Sequence, residues 1–279
     1  MMKSQSTFGA AVLAMGSLAS ASTISLPFKA GLSGFPGIES LDLFNSDIVP
    51  YISWYSNYEP ITPSITTSTH NVTGAPMLWG KGDQCLTGPD GPVDAWRYDN
   101  FTTYVSPSGT TADENPAVFF GFYEPDCGCN SSSNIANVQT GVQEWNKWIK
   151  PLAARGVALG SPPMCTQLDQ SWLTTFAAAG VSWDVTSVHV NKPTVAEGKA
   201  VVEYYAKTFG KPVWVSELTC VNDKDWSSCG NQSAVNAFID GMAEYLEGND
   251  DVVAWGFNTG KFHLHLHVPP FMSEEAIVS

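Results

Sequence analysis

Two glutamates of this 279-residue chain each follow a short apolar run with the pattern of a buried strand, Glu124 after residues 118–122 and Glu217 after residues 212–216. If the strands are parallel and share one sheet, their carboxyl ends lie at one face, and the two carboxylates can approach to about 5 Å. One carboxyl can then donate a proton to a leaving oxygen while the other attacks carbon. The pair predicts glycosidic chemistry, although a single glutamate there could instead cap a helix or pair with a lysine.

Residues at the other predicted strand ends could contact a substrate beside this pair. His189 could orient a carboxylate or a hydroxyl group, or it could be a buried structural histidine. Aromatic rings could stack on uncharged sugar faces, or they could simply fill the core, where large rings supply much of the buried area. The substrate-binding candidates are Trp54, Tyr55, Trp79, Tyr123, His189, Asn191 and Asn258.

Repeated βα units must position these side chains, because short apolar runs alternate with segments of helical period. The sequence predicts eight strands, at 29–32, 48–55, 76–80, 118–122, 157–160, 184–190, 212–217 and 252–257. Four clear helices are predicted at 138–149, 171–179, 194–209 and 232–247, with Gly180, Gly210 and Gly248 as left-handed caps. The segment between residues 54 and 77 is predicted to be a loop. This pattern indicates an α/β fold, a (β/α)8 TIM barrel, with one domain over residues 22–258.

Residues 259–279 do not fit that plan, because a barrel needs a last helix there and the segment contains Pro269-Pro270. We expect the last helix to be missing or replaced by an atypical tail, which would leave apolar barrel surface exposed. His263, His265 and His267 alternate with apolar residues, so a zinc site on one strand face is an alternative. We nevertheless expect no metal ion and no cofactor, and we expect a monomer.

Four segments carry a resemblance to a known family. They are Phe-Gly-Phe-Tyr-Glu-Pro-Asp at 120–126, Leu-Gly-Ser-Pro at 159–162, Val-His at 188–189 and Gly-Lys-Pro-Val-Trp-Val-Ser-Glu at 210–217. Over residues 29–258 the chain resembles fungal glycoside hydrolase family 128, which belongs to a clan of retaining barrel glycosidases. The resemblance implies hydrolysis of β-1,3-glucan or laminarioligosaccharides, with Glu124 as acid/base and Glu217 as nucleophile.

Two positions depart from the family pattern and keep a second function open. Tyr123 stands where the clan usually has an asparagine that bonds the sugar 2-hydroxyl, a contact that strengthens in the transition state. Val190-Asn191 follows His189, where family members often carry aromatic residues. The rival hypothesis is therefore a catalytically weak or inactive β-1,3-glucan-binding protein of the fungal cell wall. A structural wall glycoprotein is a third possibility.

Charge and export signals limit the partners and the compartment. The net charge of −14 excludes nucleic acid and anionic membrane surfaces as partners. Residues 1–21 have the pattern of a signal peptide, which predicts secretion to the extracellular space or the cell wall. Four Asn-X-Ser/Thr sequons agree with a secreted glycoprotein; they start at Asn71, Asn100, Asn130 and Asn231.

The six cysteines predict disulfides in an oxidising compartment. Cys220 and Cys229 bracket a short polar loop and are the expected pair. Zinc bound at Cys127-Gly128-Cys129 is an alternative, but this spacing is shorter than that of ordinary zinc sites. The remaining cysteines would link neighbouring loops; they are Cys85, Cys127, Cys129 and Cys165.

Overall fold

A computed structural model describes residues 24–34, 49–69, 71–82, 87–88, 91–105, 116–128, 132–168 and 171–258. Its strands are β1 (Ala30–Ser33), β2 (Trp54–Ser56), β3 (Ile65–Thr66), β4 (Asn71–Gly74), β5 (Thr87–Gly88), β6 (Gly91–Pro92), β7 (Val118–Phe120), β8 (Ala158–Gly160), β9 (Thr186–Asn191), β10 (Val213–Thr219) and β11 (Val252–Asn258). Its α-helices are α1 (Val93–Asn100), α2 (Val138–Glu144), α3 (Ser171–Ala178), α4 (Val195–Phe209) and α5 (Gln232–Gly248). The predicted signal peptide, the tail 259–279, Cys85, Cys129 and Asn130 lie outside the described residues.

The main sheet has seven strands in the order β3-β4-β2-β1-β11-β10-β9, parallel except between β3 and β4. β7 and β8 form a second parallel pair. Single parallel bridges connect this pair to the segment after β4, through Met77 and Phe120, and to the segment before β9, through Gly160 and Val185. The predicted parallel α/β domain is confirmed at this level, whereas the closed eight-stranded barrel stays a prediction.

The strands beside the predicted site are buried along their whole length. Every residue of β7, β8 and β9 is buried, as expected of parallel strands with both faces covered. Parallel strands with crossover helices place all their carboxyl ends at one edge. The residues that follow β7, β8, β9 and β10 therefore approach one another.

The third predicted strand, at 76–80, is wrong in its bounds. The ladder with β2 is made by β4 and continues to Ala75, whose N–H donates to the carbonyl of Tyr55 at 2.8 Å. Pro76 has no N–H to extend that ladder. From there the chain pairs with the other neighbour, because Phe120 donates to the carbonyl of Pro76 at 2.9 Å. The predicted loop before Met77 also contains the antiparallel pair of β3 and β4.

The four predicted helices are present, and capping residues fix their ends. Thr194 caps α4 by accepting from the N–H of Glu197, and Asn231 caps α5 by accepting from Ala234. Gly210 follows α4 with φ 59°, the left-handed conformation that glycine tolerates best. The predicted cap at Gly248 is wrong, because that glycine belongs to α5.

Among the described residues, two disulfides hold loops that follow strands. Cys220 is bonded to Cys229, which confirms the predicted pair. Cys127 is bonded to Cys165, across 38 residues of sequence. A disulfide sulfur cannot serve as a thiolate ligand, so the zinc alternative at Cys127 is wrong. Within the described part of the chain, none of the helices combines the length and apolarity that crossing a bilayer requires.

Candidate functional site

The two candidate carboxylates lie together at the carboxyl edge of the strands. Glu217 lies in β10 opposite His189 of β9, and the register shifts between Val215 and Glu217. Such a bulge changes the direction of a side chain. Glu124 follows β7 with φ 47°, an uncommon value for a residue with a side chain, and its N–H donates to the carbonyl of Pro163 at 3.2 Å. One oxygen of each carboxylate and one nitrogen of His189 lie within 4.8 Å of one another.

Three side chains donate hydrogen bonds to Glu217. The hydroxyl groups of Tyr58 and Tyr123 both donate to its Oε2 atom, at 2.7 and 2.9 Å. The amide of Asn191 donates to its Oε1 atom at 3.2 Å. Both oxygens of this buried carboxylate are therefore engaged, as a buried charge requires.

Glu124 has a different partner. The Nδ1 atom of His189 lies 2.7 Å from Oε1 of Glu124, and both side chains are buried. Burial raises the pKa of Glu124 above its ordinary value, although the hydrogen bond and charge of His189 oppose the rise. Glu124 is therefore the carboxyl of the pair that keeps a proton more readily, which suits a general acid.

The pKa of Glu217 moves in the opposite direction. Burial opposes its ionisation, but the charge of His189 and the hydrogen bonds from Tyr58, Tyr123 and Asn191 outweigh burial and lower the pKa. Glu217 is thus held as a carboxylate. Burial lowers the pKa of His189, and the attraction of Glu217 and then of Glu124 raises it overall. Two carboxyl groups with opposite shifts are the arrangement that divides acid and nucleophile roles.

Tyr123 contacts three other rings beside Glu217. Its ring stacks on Trp79, with centroids 5.7 Å apart and planes 13° apart, and it contacts the ring of Tyr58 edge-on at 5.1 Å. Its ring also contacts that of His189 edge-on at 5.1 Å. Burial, followed by the charge of Glu217, raises the pKa of Tyr123 well above its ordinary value, so its hydroxyl stays a donor. Trp79, predicted as a sugar platform, is 3% exposed and is in contact with Tyr123.

Trp54 and Tyr55 lie in the core and not on the cleft surface. Trp54 is completely buried, stacks edge-on against Trp214 and donates from its indole nitrogen to the carbonyl of Lys29 at 3.1 Å. Tyr55 is 2% exposed, and its hydroxyl donates to the carbonyl of Pro63 at 2.7 Å. Neither ring has a face available to a sugar, so we correct both assignments and treat these rings as packing residues.

Two asparagines predicted to bind substrate lie at the edge that carries Glu124 and Glu217, which we call the carboxylate edge. Asn191 ends β9 and contacts Glu217 directly. Asn258 ends β11. Its side-chain oxygen and the hydroxyl of Tyr58 both lie within 3.5 Å of the place that a Cβ atom on Gly34 would occupy. Asn258 is thus beside the phenol that donates to Glu217.

Tyr58 is a site residue that the sequence interpretation missed. It lies in a segment predicted to be a loop, and its φ of 61° is in the left-handed region. Its hydroxyl is within hydrogen-bonding distance of Ser33, at 2.8 Å, as well as of Glu217. A tyrosine in a polar segment carries no sequence signal for such a contact, because only the fold brings residue 58 next to residue 217.

The cluster of Glu124, His189 and Glu217 offers three atoms that could bind a metal ion. The Nδ1 atom of His189 is hydrogen-bonded to Oε1 of Glu124. Glu217 accepts hydrogen bonds from three neutral donors. A metal ion would have to displace these bonds, because phenol and amide N–H donors face the same oxygens. The donor set fits an acid and nucleophile pair better than a metal centre.

The Glu217→Gln variant is expected to lose part of the acid sensitivity of folding. The lowered folded-state pKa means that the carboxylate stabilises the fold above the unfolded pKa of about 4.3, and that this stability is lost as pH falls through the folded pKa. The free energy of unfolding of wild type, relative to that of the isosteric variant, should therefore decrease as the pH is lowered through that window. Urea unfolding from about pH 3 to about pH 7 measures this. A difference that stays constant across the range would contradict a lowered Glu217 pKa.

Comparison with known proteins finds relatives of one kind. The family model described as the glycosyl hydrolase catalytic core matches residues 39–270. The chain is 33% identical to a family 128 (subgroup VII) oligosaccharide-binding protein from Cryptococcus neoformans, with a TM-score of 0.71 over 93% of this chain and 92% of that chain. It is also 33% identical to a protein of the same description from Trichoderma gamsii, with a TM-score of 0.69 over 90% of each chain.

A more distant structure has the same fold. It is a family 128 (subgroup III) curdlan-specific exo-β-1,3-glucanase from Blastomyces gilchristii, determined in complex with glucose. The identity is 23% and the TM-score is 0.58, over 82% of this chain and 88% of that chain. Comparison with curated proteins found no match.

Proposed function

We propose that this chain, which belongs to glycoside hydrolase family 128, binds β-1,3-glucan oligosaccharides at the Glu124 and Glu217 edge and does so with little or no hydrolysis. The contact that supports this most directly is the hydrogen bond from Tyr123 to Oε2 of Glu217 at 2.9 Å. In retaining hydrolysis the nucleophile oxygen must reach the anomeric carbon. Here Oε2 of Glu217 already accepts from two phenols, and Oε1 accepts from Asn191.

The hydrogen bonds to the Glu217 carboxylate explain how sugar binding could be retained while catalysis is lost. Hydrogen bonds to a charged group are worth about 1.5–3 kcal/mol, and those that must be given up for attack stabilise the ground state more than the transition state. Tyr123 also covers part of Trp79, next to the reacting groups. The two relatives at 33% identity, described as oligosaccharide-binding proteins, support the same conclusion.

A second candidate function is slow retaining hydrolysis of β-1,3-glucan. The opposite pKa shifts of Glu124 and Glu217 favour it, as does the separation of their oxygen atoms, which is within 4.8 Å. In that case Glu124 would act as acid/base and Glu217 as nucleophile.

We also propose that the protein is secreted to the cell wall or the extracellular space after removal of residues 1–21. The two disulfides of the described residues support an oxidising compartment.

We also propose that the parallel strands belong to a (β/α)8 barrel. The support is the pair of single bridges, at Met77 with Phe120 and at Gly160 with Val185, which connect the β7–β8 pair to the segment after β4 and to the segment before β9. The family relationship supports it as well.

Calorimetric titration tests the binding proposal. We expect saturable heat when laminaripentaose is added to the wild-type protein, since the cleft would match β-1,3-linked glucosyl units. Cellopentaose, with the same units joined β-1,4, is the matched control and should bind at least about tenfold more weakly, a difference of about 1.4 kcal/mol. Absence of heat with laminaripentaose, or equal affinity for the two sugars, would refute a β-1,3-glucan cleft.

A further inference from the structure

Trp96 is an exposed aromatic residue that has a cationic neighbour. It lies on α1, and 41% of its surface is exposed. A single exposed ring is ordinary on a protein surface. What distinguishes Trp96 is its neighbour Arg97, because that guanidinium lies over the Trp96 ring, 5.6 Å from its centroid.

Arg97 connects Trp96 to the carboxylate edge through direct contacts. Its guanidinium carbon also lies 5.3 Å from the centroid of Trp79. Trp79 stacks on Tyr123, which donates to Glu217. Four consecutive contacts therefore lead from the candidate nucleophile to an exposed indole ring. Because Trp79 is buried, a sugar chain that continues from Glu217 would run over the surface of this network toward Trp96.

The guanidinium has donors to offer. Its Nε atom is buried and has no hydrogen-bond partner among the described residues. A buried donor without a partner is unfavourable, so an acceptor at this place would be stabilising. Arginine presents several N–H donors in a fixed plane and stacks on aromatic rings, a combination that suits hydroxyl-rich ligands with a flat apolar face.

The charges around Arg97 favour a neutral ligand. Burial lowers the pKa of Arg97, and the attraction of Glu59 and then of Asp94 opposes that fall. Burial in turn raises the pKa of Glu59, and Arg97 opposes the rise. The positive charge is thus balanced by carboxylates within the site. An anionic ligand would meet two negative groups here, and the chain carries a net charge of −14.

We propose that Trp96 and Arg97 form an outer sugar-binding subsite for a glucosyl unit of a chain that continues from the edge formed by Glu124 and Glu217. The Trp96 ring stacks on the sugar face, and the guanidinium donates to its hydroxyl groups. The subsite rests on the proposed glucan-binding function. It extends that function by making affinity depend on chain length.

Titrating the Trp96→Ala variant with a short and a long oligosaccharide tests the subsite. Laminaripentaose should bind about tenfold more weakly than it binds wild type, a change of about 1.4 kcal/mol. Laminaribiose, which is too short to span both places, should bind both proteins equally. Arg97→Lys keeps the charge but loses the planar donors, and it should also weaken pentaose binding selectively.

Trp226→Ala is the matched control, because Trp226 is 54% exposed and lies in the loop closed by Cys220 and Cys229. It should leave both affinities unchanged. Equal pentaose affinity in wild type and Trp96→Ala, or an equal loss in Trp226→Ala, would overturn the subsite while wild-type binding still upheld the proposed function. Failure of wild type to bind either sugar would overturn both.

Discussion

Replacing Tyr123 with asparagine should raise the release of reducing sugar from laminarin roughly 10- to 100-fold above the wild-type rate, the factor that loss of a charged hydrogen bond of about 1.5–3 kcal/mol implies. The substitution removes one of two phenol donors from Oε2 of Glu217. It also uncovers the ring of Trp79. An amide at position 123 would be able to contact a sugar 2-hydroxyl, which helps most in the transition state.

Two controls separate the causes. Tyr123→Phe keeps the ring on Trp79 but removes the hydroxyl, so an equal gain there would assign the effect to the hydrogen bond alone. Combining Tyr123→Asn with Glu217→Gln should abolish the gained activity, because the amide is a poor nucleophile. A folded Tyr123→Asn protein that binds laminaripentaose and still releases no more sugar than wild type would contradict the role given to Tyr123.

Replacing Trp54 with alanine should cost about 3–5 kcal/mol in the free energy of unfolding, the usual range for truncating a buried large ring. Trp54 is completely buried against Trp214, with ring centroids 4.9 Å apart. A Cβ atom on Gly31 would lie 2.3 Å from the indole ring of Trp54. Only a glycine at position 31 of β1 therefore leaves room for this side chain. Urea unfolding measures the loss.

The same variant also tests the corrected role of Trp54. Protein that remains folded should bind laminaripentaose as wild type does, because the ring has no exposed face. Trp96→Ala is the comparison and should change stability by no more than about 0.5 kcal/mol, as expected of a surface substitution. A Trp54→Ala protein of normal stability but reduced sugar affinity would restore Trp54 as a binding residue.

The proximity of Glu124, Glu217 and His189 could be predicted from sequence, because residues near the carboxyl ends of strands in repeated βα units lie at one edge. In a parallel sheet the carboxyl ends of the strands lie at one edge, independently of the conformation of the loops. The apolar runs of β7 and β10 are strong signals, and the residues after them were therefore placed on the same edge. Asn191 was found for the same reason, because it ends β9.

Tyr58 and the stacking of Tyr123 on Trp79 could not be found in this way. Tyr58 reaches Glu217 across 159 residues of sequence, and periodicity carries no information on loop contacts of that kind. Trp54 and Trp79 end apolar runs just as a sugar platform would, and local sequence does not distinguish a buried ring from an exposed one. The third strand was misplaced because Pro76 changes the hydrogen-bonding partner within a few residues.

A crystal of the wild-type protein soaked with laminaripentaose would test the central claim most directly. We predict an unbroken oligosaccharide along the edge formed by Glu124, Glu217 and Asn191, with the Tyr123 hydroxyl still bonded to Glu217. Cleaved sugar, or a glucosyl unit covalently attached to Glu217, would contradict binding without turnover. A cleft that stays empty at saturating sugar would contradict glucan binding itself.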